Sequence, residues 1–272
     1  MLGAVNRYKN HYKNAMSVMV AVKNNHYPIH AVKKDGTGVI FKNKYELHAD
    51  LLGLRYENEI VTTKEGLQFY KGMENGNVYN VFYHEDYRFL LPVENKMVVD
   101  VGANIADSSI YFIHNRAKQV IALEPFTINH ELAKYNVMLN KMQDKITLLN
   151  AGCAGKTGNM IIEASTAGVY AQVQKSSSGQ KVDMYSLADI VSKYELDNAI
   201  LKIDCEGCEY ETILSSSVKT LNKFERIQIE YHNMGYKDLE YHLKGYGFDV
   251  SHTNPEKKRS EMYVGWIYAT RP

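Results

Sequence analysis

Only three cysteines occur in 272 residues, the net charge is almost nil, and no long apolar run is present. Each scarcity excludes something. A small, odd number of cysteines does not build a disulfide framework and fits a reducing compartment. With 32 basic and 31 acidic side chains, the formal net charge of +1 lacks the basic excess of a dedicated nucleic-acid binder. No apolar stretch approaches the roughly 20 residues that a membrane span requires. The opening M-L-G-A-V-N-R-Y-K-N lacks the apolar centre of a signal peptide, so the cytoplasm is the expected location. What remains is ordinary, 45% hydrophobic and 23% charged, and long enough for one large domain with an appendage.

Two textures divide the chain. Residues 1–34 are basic and rich in asparagine, with Tyr8, Tyr12, Ala15, Met16 and Met19 at helical spacing. That spacing predicts a helix packed on the domain or on a second subunit, the second case giving a homo-oligomer through this segment; a membrane-surface helix, from its basic and aromatic character, is the lesser alternative. Residues 35–92 hold short β-like runs, Val39–Phe41, Val78–Tyr83 and Tyr87–Leu91, between turn signals such as Asp35-Gly36 and Asn75-Gly76-Asn77. They predict a small antiparallel subdomain. After residue 96 strands and helices alternate: Met97–Val101, Val120–Leu123, Ile146–Leu149, Ala199–Ile203 and Ile227–Tyr231 read as strands, with helix faces such as Ile128, Leu132, Tyr135 and Leu139 between them. Phe248–Ser251 and Met262–Ala269 follow as an antiparallel hairpin. The expected architecture is an α/β domain over 96–272, a mostly parallel sheet with helices on both faces, preceded by the helix and β-rich segment of 1–95.

Ligands in such sheets bind beyond the carboxyl ends of the strands. The ends collect Asp100, Gly102 and Asn104 after the first strand, and Glu124 after the second. Asn150 follows the third, Asp204, Glu206 and Glu209 the fourth, and Glu230 and His232 the fifth. An acid about 20 residues beyond the glycine turn accepts hydrogen bonds from ribose hydroxyls in this architecture, which is the expected role of Glu124. A dinucleotide loop wants G-x-G-x-x-G, whereas G-A-N-I-A offers only Gly102, which disfavours a nicotinamide-dependent reductase. One glycine among acidic neighbours suits a nucleoside with no phosphate and a positive centre, the character of S-adenosylmethionine. Asp100, Gly102, Asn104, Glu124 and Asn150 are the candidate cofactor residues, Asp100 as partner of the cationic methionine end.

Four motifs carry a resemblance: V-V-D-V-G-A-N-I-A at 98–106, A-L-E-P-F at 122–126, L-K-I-D-C-E-G-C-E at 201–209 and I-E-Y-H at 229–232. Together they resemble the FkbM family of S-adenosylmethionine-dependent methyltransferases, over about residues 95–235. The resemblance implies the Rossmann-like class I methyltransferase fold, a seven-stranded, mostly parallel sheet whose last strand is antiparallel. It implies O-methylation of a sugar or natural-product hydroxyl, with the cofactor held at Asp100, Gly102, Asn104 and Glu124. Ala106 stands where family members usually have glycine, and is expected to tighten the start of the following helix. The resemblance does not reach the first 90 or so residues and leaves the acceptor open.

Methyl transfer to a hydroxyl needs alignment and a base. Asp204 and His232 are the candidate bases, Glu206 the residue that positions the acceptor, and Glu230 a further candidate. The competing reading is that Glu206 and Glu209 merely cap the next helix. Cys205-x-x-Cys208 has zinc or redox spacing but no second ligand pair, so neither use is expected. Asp204, Glu230 and His232 have the ligand types of a divalent-metal site, a second possibility, although no metal is expected. The expected acceptor is a small molecule or glycan. The alternatives are RNA, through Lys118, Lys134, Lys141 and Lys145, and a cofactor-binding module without catalysis. Thr166–Lys181, with Gly168 and Gly179 as hinges, is a candidate lid.

Overall fold

The structure is a computed structural model that describes residues 2–162, 179–257 and 262–272. The chain divides into two units, Met1–Glu74 and Asn75–Pro272. Residues 75–95 therefore pack with the second unit, twenty or so residues ahead of the expected boundary.

In the first unit, the single helix expected around Tyr8–Met19 is two, α1 (Leu2–His11) and α2 (Ala15–Lys23). The break falls where Tyr12 bridges Lys33 and Asn14 Oδ1 accepts the Val32 N–H. Strands β1 (Ile29–Val32) and β2 (Gly38–Phe41) form a hairpin. A helix, α3 (Lys44–Leu52), follows in a stretch that reads as β-like. Its signal is a cap: the Asn43 side chain accepts from the N–H groups of Tyr45 and Glu46, and left-handed Gly53 ends the helix. The strands β3 (Arg55–Glu57), β4 (Ile60–Thr62) and β5 (Gln68–Tyr70) complete an antiparallel meander. Tyr12, Val18, Ile29, Phe41 and Leu47 form this unit's core.

The second unit opens without the strands expected at Val78–Tyr83 and Tyr87–Leu91. Asn80–His84 is a π-helical turn and Arg88–Leu90 a 3-10 turn. Buried Val78, Val81 and Phe82 lie at i, i+3 and i+4, and that spacing outweighs their β propensity.

From here the alternation holds. The elements run β6 (Met97–Val101), α4 (Asp107–His114), β7 (Gln119–Leu123), α5 (Thr127–Leu139) and β8 (Ile146–Leu149). A small sheet of β9 (Ala151–Cys153), β10 (Gly158–Ile162) and β11 (Gln180–Tyr185) follows. Then come α6 (Leu187–Lys193), β12 (Ala199–Ile203), α7 (Glu209–Leu214), α8 (Val218–Leu221), β13 (Phe224–His232), α9 (Tyr236–Gly245), β14 (Asp249–His252), β15 (Glu256–Lys257) and β16 (Tyr263–Thr270). The main sheet has the order β14-β16-β13-β12-β6-β7-β8, with β15 paired to β16. Neighbours from β13 to β8 are parallel, and β16 runs antiparallel between β13 and β14. This is the expected class I arrangement. Its central strands are buried on both faces and apolar apart from Asp100 and Lys202, as strands enclosed in an α/β sheet tend to be. Leu187, Ile190, Ile213, Leu239 and Leu243 pack with Val99, Ile121, Leu201 and Ile227 in one cluster.

The chain leaves β6 toward β7 and β8, then returns to place β12 on β6's other side. The carboxyl ends of β6 and β12 thus form the switch point where such sheets bind ligands. Among the described residues no helix is long and apolar enough to cross a membrane. Of the candidate lid Thr166–Lys181, residues 166–178, Gly168 among them, lie outside the described residues.

Candidate functional site

The switch point is built by close backbone approach. Gly102 has φ +80, and the Asp204 N–H donates to the Val101 carbonyl at 3.0 Å. A Cβ on Gly102 would stand 1.8 Å from the Asp204 carbonyl oxygen. The glycine makes room for the exit of β12 as well as for the turn. Asn104 and Ala106 follow in left-handed conformation, φ +48 and +66. Ala106 does not tighten the helix start as expected. It is fully buried, caps α4 with no side-chain hydrogen bond, and holds a conformation that glycine adopts at less cost.

Beyond this turn lies a cavity of about 370 Å³, within the range of small-molecule sites. Gly102, Asn104, Asp107, Glu124 and Phe126 line one part of it. Glu124 is only 4% exposed, and its two oxygens accept the Asn104 and Phe126 N–H groups at 2.9 Å each. A carboxylate has further lone pairs for incoming hydroxyls. Burial pushes its pKa up to about 7 against those hydrogen bonds. Asp107 accepts the Asn77 N–H at 2.6 Å, and burial raises it to about 6. Asn104 Oδ1 is buried without a hydrogen-bond partner among the described residues, an acceptor left for something else.

Two expected cofactor residues lie elsewhere. Asp100 is fully buried beneath the turn and does not line the cavity: Ser108 and Ser109 hydroxyls donate to one oxygen at 2.7 and 2.6 Å, and Lys202 Nζ lies 2.9 Å from the other. Its place is beneath the turn, away from the cavity wall. Asn150 is exposed and braces the second strand's turn, donating to the Glu124 and Pro125 carbonyls at 3.0 and 3.1 Å. Lys202 is the residue sequence reasoning missed. It is 1% exposed and also donates to the Gly102 carbonyl at 2.7 Å. Burial alone would lower its pKa, but Asp100 and Asp204 hold it above the usual lysine value. The signal was there: one charge inside the apolar run A-I-L-K-I.

The opposite part of the cavity carries Tyr87, Asp204, Glu206, Glu230, His232 and Trp266. The candidate catalytic residues do come together. The Tyr87 hydroxyl donates to Asp204 Oδ2 at 3.3 Å, and the Tyr87 ring meets Trp266 edge to face at 5.9 Å. Burial, with Asp204 facing it through a hydrogen bond, pushes Glu230 well above the usual carboxylate range. His232, 2% exposed, lies between two acids: Nδ1 is 2.6 Å from Glu209 Oε1 and Nε2 is 3.3 Å from Glu206 Oε2. Burial alone would lower its pKa, but these carboxylates raise it to about 11. At neutral pH the ring is an imidazolium, which cannot accept a proton, so His232 as a base does not fit this geometry. Ligand atoms of Asp204, Glu230 and His232 lie within 4.8 Å of one another, the grouping that a divalent ion would need. Glu209 does more than cap α7. It is fully buried and also accepts the His232 and Gly207 N–H groups at 3.0 and 2.8 Å.

The cysteines hold one feature that their count did not announce. Cys205 and Cys208 are joined by a disulfide, while Cys153 is free and buried. Neighbours three apart on a tight turn can meet without the framework that a cysteine count looks for.

Comparison with curated proteins gave no match. Among solved structures, methyltransferase FkbM from Methylobacillus flagellatus KT superposes with a TM-score of 0.51 at 17% identity, over 74% of this chain and 49% of that one. The chain thus spans about half the length of that relative. Precorrin-6y C5,15-methyltransferase from Geobacter metallireducens GS-15 gives 0.42 at 16% identity, over 67% of this chain and 85% of that one. A putative tRNA (m1A22) methyltransferase from Streptococcus pneumoniae, in complex with S-adenosyl-L-methionine, gives 0.43 at 16% identity, over 67% and 70%. The methyltransferase FkbM domain matches residues 100–250, a little over half the chain, from the last residues of β6 into β14. By that match, which runs through both parts of the cavity wall, the chain belongs to the FkbM methyltransferase family.

Proposed function

We propose that this chain transfers a methyl group from S-adenosylmethionine to a hydroxyl of an uncharged small molecule or glycan. The observation that carries the reading is Glu124, a buried carboxylate fixed by two main-chain N–H groups and facing a cavity at the switch point of the sheet. That is an acceptor prepared for ribose hydroxyls. The residues fit the cofactor in two further respects. Asn104 Oδ1 is an orphaned buried acceptor, and the single-glycine turn has no phosphate-binding series of N–H groups. S-adenosylmethionine, when bound, supplies an electrophilic methyl group. Glu124 and Asn104 would hold its nucleoside, and the acids across the cavity favour its positive charge.

The protein's remaining task is to align the acceptor and take its proton. Asp204 is the base in this reading. It accepts hydrogen bonds from Tyr87 and Glu230, and lies at the cavity wall. Glu230 keeps its own proton and thereby spares Asp204 a second facing charge. His232, an imidazolium, anchors Glu206, which positions the acceptor. A neutral acceptor is supported by the lining, whose basic side chains among the described residues are His84, Lys202 and His232, the last two already committed to carboxylates. Phosphate would meet the Asp204 carboxylate and the acid-flanked His232 cluster, with only His84 among the described lining residues uncommitted to balance it, which weighs against RNA.

The test uses S-adenosylmethionine labelled in its methyl group, offered with a pool of neutral glycosides and polyols. Label should pass to a hydroxyl, and Asp204→Asn should slow that transfer by about 10²- to 10⁴-fold with S-adenosylhomocysteine affinity intact. Full turnover by the variant would remove Asp204 from the role. Transfer only to phosphorylated acceptors would overturn the substrate class.

A further inference from the structure

We propose that Cys205-Glu206-Gly207-Cys208 is a thiol–disulfide exchange site at the mouth of the cavity, taking a dithiol reductant and setting the geometry of the His232 cluster. The disulfide encloses the two residues that shape this rim. Glu206 has φ +55 and Gly207 has φ +125. A glutamate in left-handed conformation persists where its surroundings hold it, and here the two cysteines that bracket Glu206-Gly207 are tied to each other. Gly207 is exposed and both cysteines are partly so; both also line the cavity. An attacking thiolate therefore has access. Cys153 does not compete, because it is fully buried and burial pushes its thiol up to about 12.

The cross-link reaches the candidate chemistry by two short routes. The residue between the cysteines, Glu206, has Oε2 3.3 Å from His232 Nε2. The residue after Cys208, Glu209, accepts the Gly207 N–H at Oε2 and the His232 main-chain and ring nitrogens at Oε1. Cys205 Sγ stands 3.3 Å from the same Glu209 Oε2. In the disulfide that sulfur has no proton to donate.

Exchange changes this. A thiolate of the dithiol attacks one sulfur and forms a mixed disulfide. The Cys205–Cys208 bond breaks, and the displaced sulfur leaves as a thiolate that takes a proton from water. The reductant's second thiol then displaces the remaining sulfur, so this chain gains two electrons and two protons and the reductant becomes a disulfide. The new Cys205 S–H is a donor facing Glu209 Oε2, in competition with the Gly207 N–H. The freed loop releases Glu206 from His232. In a reducing compartment a disulfide of this kind is a transient, working state. Its effect on methyl transfer rests on the proposed function; the exchange itself does not.

The test takes the intact chain treated with oxidised or with reduced dithiothreitol. Each sample is labelled with iodoacetamide for peptide mass analysis and followed by amide hydrogen exchange. The oxidised chain should carry no label at residues 205 and 208 and the reduced chain one at each, with Cys153 unlabelled in both. The Gly207 and His232 amides should exchange at least about tenfold faster after reduction. The Cys205→Ser, Cys208→Ser double variant should match the reduced chain whatever the treatment. Label at both cysteines after oxidation would overturn the proposal, because no disulfide forms. Unchanged amide exchange on reduction would also overturn it, leaving a staple that communicates nothing. S-adenosylhomocysteine binding, measured on the same two samples, reports separately on the proposed function: its absence in both would defeat that reading, while label and exchange still decide this one.

Discussion

Lys202 Nζ lies 2.9 Å from Asp100 Oδ1 in the middle of the sheet, with both side chains out of water. The pair links β12 to β6 two residues before Gly102, and Lys202 continues to the Gly102 carbonyl. Asp100 is thus part of the support beneath the site. Breaking one side of such a buried pair leaves a charge that nothing balances. Lys202→Met should cost about 3–5 kcal/mol in urea unfolding, and the Asp100→Leu, Lys202→Met double variant should recover a large part of it. A single variant within about 1 kcal/mol of the parent would show that the pair carries no such weight.

Gly102→Ala should be among the most damaging small substitutions in the chain. Its Cβ would meet the Asp204 carbonyl at 1.8 Å, with φ at +80. Left-handed strain and overpacking together predict a loss of about 3 kcal/mol or more. The urea midpoint measures it, and a near-parental midpoint would mean that β12 can withdraw from the turn without cost.

Glu124 sets a pH dependence for ligand binding. Burial raises its pKa to about 7, so its folded value lies above its unfolded one. Its contribution to stability is therefore full at acidic pH and is lost as pH rises through about 7. Binding runs the other way, since the ionised form is the better acceptor for ribose hydroxyls. S-adenosylhomocysteine affinity should rise between pH 6 and 8. Glu124→Gln should weaken it by about 10- to 100-fold and remove the rise. Calorimetry across that range checks both.

His232 should remain charged through neutral pH. Its folded pKa of about 11 exceeds the unfolded value of about 6.5. The stability it brings is full below about 6.5 and is lost progressively as pH rises toward 11. Melting temperatures of the parent should fall from pH 7 to 10 more steeply than those of His232→Gln. Ring resonances that titrate near 6.5 would contradict the Glu206–His232–Glu209 arrangement.

Much of this was legible before any coordinates. The five parallel strands and the hairpin announce themselves through apolar runs and turn residues, because strands buried on both faces leave little freedom of composition. Glu124 and the gathering of Asp204, Glu206, Glu230 and His232 could be read from strand ends, which the fold brings to one rim. What could not be read was direction. Asp100 and Glu124 are both acids at strand ends, yet one points under the turn to Lys202 and the other into the cavity. That difference depends on register between β6 and β12, which no local pattern encodes. Val78–Phe82 misled for a related reason: β-favouring residues were set at helical spacing, and the spacing won. The cysteine count failed because a two-residue loop needs no framework to bring Cys205 to Cys208.

In the proposed function the cavity beyond Gly102 holds the S-adenosyl nucleoside through Glu124. Titration calorimetry with S-adenosylhomocysteine and, separately, NADH tests it most directly, on the parent chain and on Glu124→Gln. S-adenosylhomocysteine should bind one-to-one, more weakly in the variant, and NADH should not bind. Binding of NADH with none of S-adenosylhomocysteine, or equal S-adenosylhomocysteine affinity in parent and variant, would contradict that function.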